Sequence, residues 1–566
     1  MKLNKLFIVG GIAAASLSLG SCLNDLDLTP TDPTDITQGK FSDDPEGYMR
    51  RVMADIYINI SSYGFHSTGE NILTSMDGGM STFQRAVFNL EEVPSDEADW
   101  MPLTDKIPWT FQFGEITVSD PVIMGVYSRF MVISSLCNQF IQTDFQINTL
   151  PEEKRQAVSE LREEFVRQAK ILRSGMYFYL VSEYGNVPYN DENVLMGDVA
   201  PQLSTDYATG RRLVTERVVD TLEDIVAWYK QNDPSNNPPY GYVGLDVAEA
   251  LLVKFYLNYE VFTGTPAWDK CLDHAQAIIG RRGVGGWNNT GLAKNYFHNF
   301  SPNNVSENEI IWRIVGQNAD THTDAAGNNS GIENYANGGF MLCGFAGAQN
   351  QNYYNTGNGW SCMVAREQLV DAFDWTDAEC SESPDIRVKW WYTSKFGFPK
   401  ENTSLVLDDY GSNGYAPVKF VNWYLDDNGD AVPELTTWTT IACPGIDYGM
   451  IRLAEIYLSA AEAILNGAGS NEVALRYVNY IRERAGLDPY TSINMAELQQ
   501  ERQRELYTEC TRRTDLVRYG KWVSGYNWAW KYHVREGHDF PANMIVYPLP
   551  STVVITNGYE QNEPWK

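Results

Sequence analysis

The sequence predicts a mainly α protein built of tetratricopeptide-like helical hairpins, with a large irregular lobe of loops and short strands. Three observations predict it. Apolar residues recur at helical spacing in long stretches on both flanks of the chain. Glycine turns such as Gly467 and Gly469 join consecutive stretches. From Gly285 to Gly359 helical periodicity gives way to Asn, Gly and aromatic residues, which suit turns and short strands.

The elements follow in order. Asp77 to Phe113 reads as a loop-rich stretch carrying Trp100, Trp109, Phe111 and Phe113. Glu163 to Tyr184 reads as a helix, because Leu161, Phe165, Leu172, Met176, Tyr179 and Leu180 share one face, and Gly185 and Pro188 end it. Val247 to Phe262 is a second helix, broken by Gly264 and Pro266 and resumed from Trp268 to Ile279. Leu453, Ile456, Tyr457, Ala460, Ala461 and Ile464 form the next stripe, and Ala474, Tyr477, Val478 and Ile481 begin its partner. Glu497 to Trp522 reads as one further charged helix.

The 566 residues hold 43 Lys+Arg against 73 Asp+Glu, a net charge of -30. Such acidity disfavours nucleic acid and anionic membrane surfaces, which need a dominant basic face. The chain is 43% apolar and 13% aromatic, enough for a sizeable core with Trp and Tyr to spare for binding.

Lys2 and Lys5 precede an apolar run from Leu6 to Leu19, too short for a stable membrane-spanning helix. Leu19-Gly20-Ser21-Cys22 then forms a lipobox. Residues 1–21 are expected to be a lipoprotein signal peptide and Cys22 the lipidated first residue of a membrane-anchored protein. Residues 22–566 are expected to form one domain, with a first part to about 285, a loop-rich binding lobe over about 286–445 and a last part from about 446.

Export permits disulfides. Seven further Cys leave at least one thiol free, and neither CxxC nor a zinc spacing of His occurs. Cys343 and Cys362, nineteen residues apart, are expected to form a disulfide beside Tyr335 and Trp360, with two separate buried thiols as the alternative. A loop of that size contributes roughly 3 kcal/mol when closed without strain. Asp426, Asn428 and Asp430, around Gly429, offer oxygens that suit a structural calcium ion, with a plain polar turn as the alternative. No GxSxG, HExxH or P-loop occurs, and carboxylate pairs such as Asp96/Glu97 and Asp426/Asp427 arise readily among 73 acids, so an enzyme is not expected.

Several motifs, in order, carry a family resemblance. They include Leu26-Asp27-Leu28-Thr29-Pro30 after the lipobox, Arg173-Ser174-Gly175-Met176-Tyr177-Phe178-Tyr179 with Tyr184-Gly185-Asn186-Val187-Pro188, and Lys254-Phe255-Tyr256-Leu257-Asn258. Arg452-Leu453-Ala454-Glu455-Ile456-Tyr457-Leu458, Asn479-Tyr480-Ile481-Arg482-Glu483-Arg484-Ala485, Arg512-Arg513-Thr514-Asp515-Leu516 and Tyr547-Pro548-Leu549-Pro550 complete the series. With them the chain resembles the SusD/RagB family of Bacteroidetes outer-membrane lipoproteins, near its starch-binding type. Leu23-Asn24-Asp25-Leu26-Asp27 resembles the surface-export signal of such lipoproteins.

The resemblance implies a non-catalytic lipoprotein that captures an oligosaccharide or polysaccharide and sits over a SusC-type TonB-dependent transporter. It places Tyr335 and Trp360 in an aromatic arc, Arg85 and Asp77 at hydroxyl-binding positions, and Trp100 on a family Trp. Asp105 stands where the family binds through Asn, and Pro102 stands where a third aromatic is expected. Trp109 would extend the platform. The chemistry agrees: flat Trp and Tyr rings take the apolar face of a pyranose, while Asn, Asp and Arg take its hydroxyls. A peptide-binding protein of the RagB kind and, further off, a glycoside hydrolase are the alternatives.

Overall fold

The structure, a computed structural model, describes residues 44–61, 82–105, 108–195, 197–316, 341, 355, 362–373, 383–391, 393, 400–401, 403, 414–435 and 446–566. By its contacts the chain falls into two units, residues 1–53 with 143–164 and residues 54–142 with 165–566. In the first unit Tyr48 packs on Phe145, ring centres 5.7 Å apart.

The early helices are α1 (Pro45–Ser61), α2 (Phe83–Glu91), α3 (Pro121–Gln142) and α4 (Glu152–Tyr179). Strand β1 (Ala98–Trp100) follows α2. α2 interrupts the stretch read as loop: Phe83, Ala86, Val87 and Leu90 share one face at i, i+3, i+4 and i+7, and its polar residues are buried too. α4 begins well before Glu163, because its first turns are charged all round and carry no apolar stripe. It closes in a π-helical turn at Leu180–Tyr184.

The hairpin series comes next. α5 (Tyr207–Asn232) is capped by Asp206, whose carboxylate accepts the Thr209 N–H at 2.8 Å. α6 (Leu245–Leu257) and α7 (Tyr259–Thr263) replace the single helix read over Val247–Phe262. They part at Asn258, whose side chain donates to the Lys254 carbonyl and accepts from Arg518. α8 (Trp268–Arg282), α10 (Leu453–Ala463), α11 (Asn471–Arg484) and α12 (Met495–Leu506) complete the series, with α9 (Glu367–Ala372) a short helix between them in sequence. α5 packs on α6, α6 on α8, α8 on α10, and α10 on α11 and α12. α10 is buried on every side, and Ala460, Ala461 and Ala463 let its neighbours approach closely. The α10–α11 turn passes through Gly467 at φ +108°, a conformation that side chains resist.

The strands form two antiparallel pairs. β1 pairs with β3 (Met363–Ala365) in the register Ala98↔Ala365, Asp99↔Val364, Trp100↔Met363. β2 (Ile310–Ile314) pairs with β4 (Tyr448–Arg452), with two register shifts.

Glu497–Trp522 is not one helix. α12 stops at Leu506 and α13 (Arg512–Arg518) restarts, with Thr508 at φ 61° and Cys510 at φ 62° between them. Tertiary partners outcompete the helix here. Buried Glu97 accepts the Thr508 N–H at 3.0 Å and Glu92 the Thr511 N–H at 3.1 Å, while the Lys419 ammonium donates to the carbonyls of Glu505 and Tyr507. α14 (Ser551–Asn557) ends the helices.

An ionic core runs through this region. Arg452, at the end of β4, pairs with Glu309, Glu505 and Glu509, and Arg484 pairs with Glu309 and Glu505. Arg387 adds Asp385, Glu501 and Glu505, and Lys419 adds Glu509. Among the described residues no helix is long and apolar enough to cross a membrane.

Candidate functional site

The expected site residues lie around β1. Thr82 caps α2 by accepting the Arg85 N–H at 3.4 Å, which sets Arg85 on the first turn. The Arg85 Nε donates to Asn89 Oδ1 at 3.0 Å, and its guanidinium lies 4.1 Å from the centre of the Trp100 ring. Trp100 closes β1. Its indole N–H donates to Asp105 Oδ2 at 2.9 Å, and its backbone N–H donates to Gln112 Oε1 at 2.9 Å. Arg85, Trp100 and Asp105 therefore form one stacked, hydrogen-bonded cluster.

Its burial departs from the expectation of an open platform. Arg85 is 3% and Trp100 4% exposed, while Asp105 and Trp109 are half-buried. Arg85 thus braces the Trp100 ring from within, and one Asp105 oxygen is committed to the indole.

Trp109 sits in a π-helical turn, Pro108–Gln112, and donates its indole N–H to the Leu103 carbonyl at 2.8 Å. Its ring meets Phe113 and His533 edge-on, and Phe113 stacks on His533 at 4.1 Å. Gln112, Phe113 and His533 are site neighbours that the sequence reading missed. Phe113 was visible only as one more aromatic, and nothing local points to His533.

The β1–β3 pair brings in the far segment. The Met101 N–H donates to the Cys362 carbonyl at 2.7 Å, extending the pair by one bond. Beneath it, Asp99 pairs with Arg366 at 2.6 Å, both fully buried. The Ala365 N–H donates to the Tyr415 carbonyl on the other side.

Asp77, Tyr335, Trp360, Cys343 and Cys22 lie outside the described residues. Cys362 is buried next to β3, so of the expected disulfide only this half is described. Cys137, Cys271 and Cys510 are buried free thiols.

Asp426, Asn428 and Asp430 form a hydrogen-bonded turn. Asp426 Oδ1 accepts the N–H groups of Asn428 and Asp430 at 2.8 and 3.0 Å, and Gly429 turns the chain at φ +74°. The Lys389 ammonium donates to Asp430 Oδ1 at 2.7 Å and to the Gly429 carbonyl at 3.0 Å. The lysine is thus a partner of Asp430 in this turn. Among the described residues no group of three or more His, Cys, Asp or Glu is placed to hold a metal.

The adjacent carboxylates Asp96 and Glu97 are engaged as well. Asp96 accepts Arg512 at 2.7 and 2.8 Å and the Tyr526 hydroxyl at 2.7 Å. Burial pushes Glu97 up to about 7 against the pull of Arg512. Its neighbour Glu92 is raised well above the carboxylate range by burial and by Glu97 itself. Burial and mutual repulsion thus disfavour the ionised form of both.

Known proteins resemble the chain in sequence and in fold. Residues 308–548 match the model of the SusD family. The chain is 26% identical, over all of its length and 99% of the relative's, to the starch-binding protein SusD of Bacteroides thetaiotaomicron. It is 24% identical to a SusD-like protein of Formosa agariphila, covering 64% of this chain and 65% of that one. Among solved structures, a SusD-like protein of Bacteroides fragilis is similar at a TM-score of 0.63 and 18% identity, covering 95% of this chain and 100% of the other. Surface glycan-binding protein A of Bacteroides thetaiotaomicron, solved with laminarihexaose, is similar at a TM-score of 0.61 and 18% identity, covering 91% and 99%.

Proposed function

The chain is SusD-like in sequence and in fold, and on that premise we propose that it is a non-catalytic, lipid-anchored outer-membrane protein that captures a neutral glycan and delivers it to a SusC-type TonB-dependent transporter. One observation carries the glycan reading: β1 and β3 stitch the braced Trp100 to the chain segment that bears Trp360. Trp360 precedes Cys362 by two residues, at most about 7.6 Å of chain. The Cys362 carbonyl in turn accepts the Met101 N–H.

Chemistry supports the reading. Aromatic rings stack on the C–H faces of sugars, while Asp and Arg address hydroxyls. Stacking dominates, because exposed hydroxyl bonds exchange with water at little net gain. Neutral glycans are favoured because a chain of net charge -30 repels anionic polymers. The non-catalytic reading draws on Asp96 and Glu97, which are buried in structural bonds. The anchor draws on Leu19-Gly20-Ser21-Cys22. Laminarihexaose and starch, named for two relatives, set the first ligands to try.

Affinity electrophoresis on starch, laminarin and an anionic polysaccharide tests it. The neutral polymers should retard the protein and the anionic one should not. Trp360→Ala should weaken retardation by more than about tenfold, roughly 1.4 kcal/mol. A Trp360→Ala protein that migrates like the parent on every retarding polymer would place the platform elsewhere.

A further inference from the structure

A second aromatic platform stands apart from the β1–β3 site, in the segment joining α5 to α6. A groove of about 520 Å³ opens there, lined among others by Asn237, Pro238, Pro239, Tyr240, Val305 and Asn308. Tyr240 is 49% exposed, unusual for so large a ring. It is nevertheless fixed at both ends. Its hydroxyl donates to Asp447, and the Arg313 guanidinium covers one ring face, 4.8 Å from the ring centre. The other face is left to the groove. A ring already immobilised loses little rotamer freedom when a ligand lands on it.

The walls say what kind of ligand fits. Two arginines reach the groove, and each already has a carboxylate: Arg313 pairs with Asp447 at 2.7 Å and Arg282 with Asp246 at 2.5 Å. The positive charge is spent, so a phosphate, sulfate or uronate gains little here. Flat apolar surface remains in Tyr240, Pro238 and Pro239. Asn237 and Asn308, both exposed, bring amide groups that donate and accept at the rim. The lining is mostly polar, with Arg282, Arg313, Asp246 and Glu307 beside the two Asn, and Tyr240, Pro238 and Pro239 are its apolar faces; polar groups around a flat ring match a neutral sugar, with its C–H face and belt of hydroxyls.

We infer that this groove is a second glycan-binding surface, in which Tyr240 stacks on a neutral pyranose and Asn237 and Asn308 meet its hydroxyls. The inference rests on the glycan-binding reading above and adds to it a distinct site. A long polymer that touches both surfaces of one chain gains avidity that a short oligosaccharide does not. β2 separates the two surfaces: Trp312 packs on Phe83 of α2, the helix of Arg85, whereas Arg313 faces the groove.

The test counts sites. The parent, Trp360→Ala, Tyr240→Ala and the double variant are titrated with the hexasaccharide of whichever neutral polymer retards the parent, and run on gels of that polymer. Two hexasaccharides per chain are expected for the parent, one for each single variant and none for the double. On the polymer gel Tyr240→Ala should be held about tenfold less strongly. Tyr240→Phe keeps the ring but loses its bond to Asp447, and should bind between the parent and Tyr240→Ala. Should Tyr240→Ala fail to fold, the exposed Asn237→Ala takes its place, with a smaller loss expected in the same direction. One hexasaccharide per parent chain, abolished by Trp360→Ala, overturns the second site and leaves the first. Binding that survives Trp360→Ala in full but falls with Tyr240→Ala upholds the second site and overturns the first. A parent retarded by no polymer overturns both.

Discussion

Arg85 touches the Trp100 ring from inside the protein, and that changes what its removal should do. A guanidinium 4.1 Å from an indole centre, buried and bonded to Asn89, contributes cation–π attraction and packing together. Arg85→Ala is therefore expected to lower unfolding stability by about 1 to 2 kcal/mol and to weaken glycan binding less than Trp360→Ala does. Urea titration beside affinity electrophoresis checks both; unchanged stability with lost binding would return Arg85 to direct hydroxyl contact. The residue types of this site were legible in the sequence, because Trp, Arg and Asp near turns suit sugar recognition. Their burial was not. Trp100 is covered through a pairing with Met363, far along the chain, and Trp109 through His533, farther still. No local spacing encodes such contacts. The pairing of Asp430 with Lys389, well upstream of it, is hidden in the same way.

Helices with one apolar stripe were legible as elements, as Trp268–Arg282 and Leu453–Ala463 show. α2 carries such a stripe too, in Phe83, Ala86, Val87 and Leu90, but only nine residues long inside a stretch read as loop, and the break between α12 and α13 hides inside a charged run. That run reads as a solvated helix, yet Glu501, Arg502, Arg504 and Glu505 are all buried against partners on other elements. Arg452 ties these elements together, reaching from the β4–α10 junction to Glu309 before β2, Glu505 on α12 and Glu509 in the break. Removing one member of such a network strands buried charges of the opposite sign. Arg452→Met is expected to cost about 3 to 5 kcal/mol in urea unfolding, while an exposed pair such as Arg50–Glu46 should cost under about 1. Equal losses at the two positions would mean that the core arginine is not held as the structure has it.

For the whole molecule, the buried titratable groups set where in pH the fold is most stable. Against the cost of burial, Arg387, Arg504 and Arg482 hold Glu501 near about 2, and His274, Lys230 and Arg281 hold Glu249 near about 2. These carboxylates stabilise the fold above their ordinary value of 4.5, and the contribution is lost as pH falls toward 2. A second set works in the other direction. Glu92 and Glu183 are raised well above 4.5 by burial and by carboxylate neighbours, and burial raises Glu97 to about 7. His274 and His298 are raised above 6.5, despite burial, by the acids beside them. All five hold protons that the unfolded chain gives up sooner, so stability is lost as pH rises through their folded values, at about 1.4 kcal/mol per pH unit for each such proton. Lys419 and Lys531, lowered by burial to about 8, oppose this only above about pH 8. The melting temperature should therefore peak near about pH 5 and fall on both sides. The alkaline side should begin where Glu92 and Glu97 grip the amides of Thr511 and Thr508, since two ionised carboxylates repel there. Glu92→Gln keeps a neutral side chain of the same shape at that grip. It should flatten the fall between pH 5 and 8 and leave the acid side untouched. Melting curves of both proteins across pH 3 to 9 decide the matter: a parent whose melting temperature is level from pH 5 to 8 holds neither acid above its ordinary value.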